Sequence, residues 1–402
     1  MKRRSFIIFV FILFAAVVQG QSAEFEGIDI HGFISQGYLY SNKNNYLGES
    51  EKGSFQFNEM GINFSKDMTE NLRIGMQFFS RDLGETGNNT VEIDWAYGDY
   101  HWQDWLGFRA GLMKMPHGLY NETRDIDMLR TWILLPQSVY NETTRDYYTR
   151  LWGIGAYGEI DLKSSGSLSY RALIGTYAPN PDNSGLIQSI RDGSPFPLEV
   201  TDFDNGIQYS GSLQWRSPFK GFRLGITSYK QNAFNATIRN LVPLSKFVPA
   251  GLAWQVDIEN WATVFSAEYI QKKLTIAAEY RYRENSYYAN LLSPEISWKS
   301  EAYYLSAAYR FTDFFEIGSY YSIAYPDKDD RDGDRFKAKG QPDFRAWQKD
   351  FSVTARFDFN QYWLFKIEGH LMNGVGDLFI QDNPNGFEKN WYLLAAKVTF
   401  NF

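Results

Sequence analysis

The segment Leu274-Thr275-Ile276-Ala277-Ala278-Glu279-Tyr280-Arg281-Tyr282-Arg283 decides the fold. Successive side chains of an extended chain point to opposite faces. Leu274, Ile276, Ala278, Tyr280 and Tyr282 therefore share one apolar face, and Thr275, Ala277, Glu279, Arg281 and Arg283 share a polar one. The same alternation runs through Leu72, Ile74, Met76 and Phe78, and again through Phe351, Val353, Ala355, Phe357 and Phe359. One such segment is a weak signal, and its repetition along the chain carries the argument.

The pattern predicts about sixteen strands at 28–40, 55–66, 72–82, 91–101, 106–115, 153–161, 167–177, 206–215, 222–230, 261–271, 274–283, 302–311, 315–323, 351–359, 364–372 and 391–402. Short polar turns such as 67–71, 163–166 and 217–221 alternate with long connections near 41–54, 83–90, 116–152, 178–205, 231–260, 284–301, 324–350 and 373–390. An up-and-down sheet with short turns at one end and long loops at the other is the mark of a transmembrane antiparallel β-barrel. A sandwich or propeller has no reason to sort its connections this way. Closure also answers an energetic demand, because an unpaired backbone amide in lipid costs several kcal/mol.

Composition agrees. Of the 402 residues, 18% are aromatic, an excess that interfacial girdles would use. Only residues 5–18 form a sustained apolar run, which excludes a bundle of spanning helices. The absence of cysteine excludes disulfides, thiolate catalysis and Cys-ligated metals. A net charge of −7 argues against a general nucleic-acid binder.

Lys2, Arg3 and Arg4 precede an apolar stretch from Phe6 to Val18, followed by small and polar residues. That order predicts a secretory signal peptide over residues 1–20, with Val18 and Gly20 suiting cleavage before Gln21 and Gln21/Ala23 offering a second site, and a single barrel domain over 21–402.

The longest connection, 116–152, carries Arg124, Asp125, Asp127, Arg130, Glu142, Arg145, Asp146 and Arg150 around the apolar Trp132-Ile133-Leu134-Leu135. It holds a near-repeat, Tyr120-Asn121-Glu122-Thr123-Arg124-Asp125 against Tyr140-Asn141-Glu142-Thr143-Thr144-Arg145-Asp146. A structureless loop of this length needs a reason. At the far end, Tyr392, Leu394, Ala396, Val398, Phe400 and Phe402 alternate up to a terminal aromatic.

That last strand resembles the signal by which the barrel assembly machinery recognises bacterial outer-membrane proteins. The export signal, sixteen strands, terminal Phe402 and long loop after the fifth strand resemble the trimeric sixteen-stranded bacterial porins, most of all the group of phosphate-selective porins O and P. The resemblance implies a homotrimer in the bacterial outer membrane, in contact with lipid and lipopolysaccharide. It also implies that the loop 116–152 folds inward and narrows a passive channel for small hydrophilic solutes or ions. Arg124, Asp125, Asp127, Arg130, Glu142 and Arg145 are then the candidate constriction residues.

If the alternation holds, Arg73, Arg81, Arg109, Arg281, Arg283, Arg310, Arg356 and Lys366 line the pore wall, with Arg171, Arg223 and Lys397 beside them. Glu59, Glu92, Asp94, Glu268, Glu279, Glu316, Asp358 and Glu368 are the inward acids. The lumen is their natural home, since a basic residue facing lipid near the midplane costs about 2–4 kcal/mol. Rings of fixed charge select ions, and width selects by size. A phosphate-specific site would need converging Lys or Arg donors, and no dense lysine cluster occurs.

His31, His101, His117 and His370 are too scattered for a metal centre. The acidic run Asp327, Asp329, Asp330, Asp332 and Asp334 fails the EF-hand pattern and reads as a solvated loop. No cofactor or enzymatic step is implied. The alternative reading is a structural or adhesive outer-membrane barrel with a closed lumen.

Overall fold

The computed structural model describes residues 27–84, 86–177, 185–194, 196–204, 206–246, 248–289 and 295–402. The expected signal peptide lies outside them. The chain forms β1 (Asp29–Ser41), β2 (Phe57–Thr69), β3 (Leu72–Leu83), β4 (Val91–Gln103), β5 (Leu106–Lys114) and β6 (Arg150–Asp161). There follow β7 (Ser167–Tyr177), β8 (Leu198–Asp204), β9 (Gly206–Arg216), β10 (Phe222–Asn240), β11 (Ala253–Gln271) and β12 (Leu274–Ala289). The last are β13 (Ile296–Arg310), β14 (Phe315–Tyr325), β15 (Gln348–Asp358), β16 (Trp363–Gly374) and β17 (Asn390–Asn401).

Each strand pairs antiparallel with its neighbour, and β17 returns to β1, with Phe33 opposite Asn401 and Tyr40 opposite Leu394. The short β8 stands end to end with β9 along the same partner, β10. The seventeen segments thus make a closed barrel of sixteen staves. No open edge is left in the sheet, which is what a lipid environment demands.

All sixteen expected strands form, most within three residues of their expected ends. Two expectations need correction. The connection 178–205 contains β8 and a helix, α1 (Gly185–Gly193). Much of 231–260 and 284–301 is strand, because β10 and β11 run for 19 residues each and β12 and β13 for 16 and 15. About 9–11 tilted residues span a bilayer. At about 3.3 Å per residue, β10 and β11 therefore run roughly 25 Å of strand beyond a span, and β12 and β13 roughly 15 Å.

Burial alternates as the sequence pattern requires. On β16, Leu364, Lys366, Glu368, His370 and Met372 are buried while Ile367 and Leu371 face outward. The polar set is inside and the apolar set outside, the reverse of a soluble sheet. Trp102 and Trp105 pair at 5.7 Å at one short turn, and Trp363 and Phe400 pair at 5.0 Å near another. Trp102, Trp105 and Trp363 are exposed and Phe400 half-buried, an aromatic cluster at the short-turn end.

Candidate lumen and its inward loop

The loop between β5 and β6 turns into the barrel at Gly118. Its φ of +60° is a left-handed conformation, and a Cβ there would sit 2.3 Å from the Tyr140 hydroxyl. Glycine is the residue that tolerates both. The Gly118 N–H donates to Thr227 Oγ1 on β10 at 2.9 Å, and the Leu119 N–H donates to Glu279 on β12 at 2.9 Å. The near-repeat now has a structural meaning. Tyr120 donates to Glu268 on β11 at 3.0 Å, and Tyr140 donates to Glu279 on the adjacent strand.

The apolar tip crosses to the far wall. The Ile133 and Leu134 N–H groups donate to the two oxygens of Glu368 on β16 at 2.8 and 2.9 Å. Glu368 also accepts from Thr354 at 2.5 Å and faces His370 Nε2 at 3.0 Å. The other ring nitrogen, Nδ1, faces Asp350 at 3.0 Å. Lys366 donates to the Asp127 and Trp132 carbonyls at 2.9 and 3.1 Å. Arg356 donates to the Arg130 and Met128 carbonyls at 2.9 Å each. Gly318 on β14 makes room for the tip, since a Cβ there would lie 2.8 Å from the Thr131 side chain. Backbone polar groups of an irregular segment at membrane depth must be satisfied by protein, and these wall side chains do so.

The six candidate constriction residues are 1–8% exposed and lie in one network of opposite charges. Asp127 accepts from Arg130 at 2.7 Å and from Thr399 at 2.7 Å, and Lys397 lies 2.8 Å away. Glu59 on β2 meets Lys397 at 2.5 Å and Arg145 at 3.0 Å. Glu142 meets Arg124 at 2.8 Å and Arg81 at 3.1 Å, and Asp146 meets Arg81 at 2.8 Å. Asp125 is held by Arg145 and Lys114. Burial alone would raise the Asp127 carboxyl, but Lys397, Arg130 and Lys366 hold it far below the usual carboxylate range. Burial, with Arg124 and Arg81 alongside, brings Arg145 down to about 10. Breaking one partner out of such a buried pair costs about 3–5 kcal/mol. These residues tie the loop to the wall and spend their charges on one another.

Of the expected wall residues, Arg73 sits at the turn end, 57% exposed, beside Asp29 and Asp67. Arg310 bonds Glu316 and Asp358 near the same end. Arg81, Arg356 and Lys366 are buried under the loop, as described. Arg109 is different. It donates to Asp99 at 2.8 Å and lies between the rings of Tyr97 and Tyr157, 5.1 and 4.6 Å from their centroids. It borders a cavity of about 360 Å³ between the loop and the inner face of β2–β7. Trp95, Met113, Arg171 and the loop's Glu122 and Ile126 complete the aspects that matter here, with Arg171 paired to Glu122.

Two features were missed from sequence. Asp350 lies one residue outside the expected strand 351–359, and His370 was set aside as an isolated histidine. The alternation that placed Glu368 inward also places His370 inward, two residues along, and that signal was available.

No protein-family model matches the chain. An uncharacterized protein of Aquifex aeolicus (strain VF5) is 24% identical over 268 residues, 63% of this chain and 56% of that protein. The chain thus spans just over half the length of the curated relative it matches. Among solved structures, it is similar to the outer membrane channel DcaP of Acinetobacter baumannii, with a TM-score of 0.56 at 9% identity over 93% of this chain and 97% of that one. A Salmonella typhi OmpF complex with daunomycin gives a TM-score of 0.56 at 12% identity, again over 93% and 97%. The fold is the sixteen-stranded porin barrel. An anion-selective porin from Comamonas acidovorans shares this porin fold, with a TM-score of 0.51 at 10% identity over 94% and 99% of the two chains.

Proposed function

We propose that the protein is a bacterial outer-membrane porin, a passive channel for small hydrophilic solutes or ions. The observation that carries the reading is the space left beside the loop 116–152, although the loop is also fastened to β2, β3 and β10–β12. Its tip bonds to β14–β17, and the 360 Å³ cavity lies on the opposite side, along β2–β7. A loop that only plugged the barrel would leave no such space beside it. Solutes then pass between Trp95, Tyr97, Tyr157 and the loop residues Glu122 and Ile126. Arg109 and Arg171 each carry a carboxylate partner there, so a phosphate-specific site is not part of the proposal. Export by a cleaved signal at 1–20 and assembly as a trimer complete the reading, both supported by the likeness in architecture to porins.

A closed structural barrel is the second reading, and the long-loop end supports it. Asp192 on α1 accepts the Ile380 N–H at 2.6 Å and faces Arg345 at 3.5 Å, which joins three loops. Asn44 and Asn45 bond Glu388 and Asn383 of the last long loop at 2.8 Å each. Single-channel recording of the folded protein in a planar bilayer separates the two readings. Stable, resolved current steps support the channel, and a folded barrel that never conducts leaves the structural reading.

A further inference from the structure

The inner wall of β3–β6 carries a row of aromatic rings beside the 360 Å³ cavity. Trp95 and Tyr97 are successive inward residues of β4, since alternate strand residues share a face. Their ring centroids lie 5.4 Å apart, with the planes tilted by 42°. Tyr157 on β6 continues the row beyond Arg109, whose guanidinium lies between the Tyr97 and Tyr157 rings.

Glycines on the neighbouring strands give these rings their place. Gly75 on β3 pairs with Tyr97, and a Cβ added there would lie 2.9 Å from the Trp95 indole, one strand over on the diagonal. Gly107 on β5 pairs with Tyr157, and a Cβ there would lie 2.4 Å from that ring. A side chain at either position would push the ring away. An aromatic ring that covers a glycine of the next strand lies along the sheet instead of standing off it. Trp95 thereby offers the cavity a ring face, and Ile126 of the loop borders the same space.

The polar groups around the rings are balanced in charge. Arg109 faces Asp99 at 2.8 Å, Lys114 faces Asp94 at 2.8 Å, and Arg171 is paired to Glu122 of the loop. Two amides stand next to Trp95. Gln77 on β3 is its partner in register, and Asn63 on β2 is the partner of Gln77 on the other side. Gln77 donates to Asp94 at 2.9 Å, and the Asn63 amide reaches Gln77 Oε1 at 3.5 Å. The volume falls within the roughly 300–1,000 Å³ of small-molecule sites.

We infer that this cavity is a sliding site for neutral sugars, with the indole of Trp95 as its platform. A pyranose has a face of C–H groups and a rim of hydroxyls that both donate and accept. The Trp95 ring suits the face, and Asn63, Gln77 and the Arg171–Glu122 pair suit the rim. An ion finds each of these cations already facing a carboxylate. A flat apolar solute leaves the polar rim without partners, which is costly. A weak site of this kind speeds passage, because it draws the solute in without holding it. The inference rests on the channel reading and deepens it: the permeant class becomes monosaccharides and short oligosaccharides.

Osmotic swelling of liposomes carrying the full folded protein compares entry of glucose with entry of sorbitol, and conductance is recorded in parallel in a planar bilayer. Sorbitol nearly matches glucose in mass and hydroxyls but has no ring face. Glucose should enter the wild-type liposomes about threefold faster or more. Trp95→Ala should bring the two rates together without slowing sorbitol, since truncation widens the path. Trp95→Phe should keep most of the preference, and the heat-modifiable gel shift of the barrel shows that each variant is folded. Equal rates in the wild type, or a preference untouched in Trp95→Ala, would overturn the inference and leave the channel standing. A folded wild type that gives neither swelling nor current would overturn the channel reading and the inference with it.

Discussion

Replacing Glu368 with alanine removes the acceptor for the Ile133 and Leu134 amides at the loop tip. Both bonds run to a buried carboxylate, and hydrogen bonds to charged groups contribute about 1.5–3 kcal/mol each. The truncated site is polar and has room for a water, which recovers part of the loss. The net penalty on the docked tip is therefore near the low end of the sum, about 3 kcal/mol. At tenfold per 1.4 kcal/mol, amide protection of the tip should fall by about a hundredfold.

Hydrogen–deuterium exchange on the folded protein, followed in a peptide spanning residues 130–136, reads this directly, with β12 as an internal standard. Glu368→Gln keeps one carbonyl acceptor and should fall between the two. Protection changed by less than about threefold in the alanine variant would refute the reasoning. It would mean that apolar packing of Trp132 to Leu135, and not the carboxylate, holds the tip.

Three further outcomes follow. Ile367→Lys places a charge on the outward face of β16, where Ile367 is 50% exposed, and should destabilise the barrel in lipid vesicles by about 2–4 kcal/mol in denaturant titration. A cost near zero would mean the outward assignment is wrong. Tyr97→Ala with Tyr157→Ala widens the cavity beside Arg109, so unit conductance should rise by tens of per cent; unchanged conductance would remove the cavity from the permeation path. The third concerns Asp377, whose carboxyl is raised to about 6 by burial, with Arg281, Arg283 and Tyr46 as its charged or titratable neighbours. A raised acid favours the folded state below its unfolded pKa and loses that contribution as pH rises through about 6. Exchange in the segment 375–381, corrected for intrinsic rates, should therefore accelerate as pH rises from the ordinary carboxyl value of 3.8 to about 6 and then level off, by up to about a hundredfold for a two-unit shift. Asp377→Asn should abolish that dependence.

The strands were legible because the lipid and the lumen impose opposite polarities on alternate residues, and that period survives in a single sequence. β8 is short, and its alternation has the opposite polarity to the spanning strands: Leu198, Val200 and Phe203 are buried in an apolar cluster while Glu199 and Asp202 face out. The upper half of β11 shares that reversed polarity, with Trp254, Val256 and Ile258 buried and Gln255 and Glu259 exposed, so a search for apolar-out strands passes over it. In the candidate site, the loop and its charges were visible, but their partners were not. Asp127 meets Lys397 across some 270 positions of chain, and nothing local encodes such a pairing. The difference between a charge that faces a solute and one that fastens a loop lies in burial, which composition does not report.

The fastening of the loop has a consequence for how the barrel is made. Lys397 belongs to the last strand and Glu59 to the second, yet they meet over β1, where the two ends of the sheet join. Asp127 reaches Lys366, Lys397 and Thr399, and Arg145 reaches Glu59, so the loop straddles that seam from inside. Its full set of partners exists only after the final strand has been delivered and the cylinder sealed. The loop thus reports on its own container: a barrel caught one strand short would leave Asp127 without Lys397 and Thr399, loosening the loop where it crosses the seam.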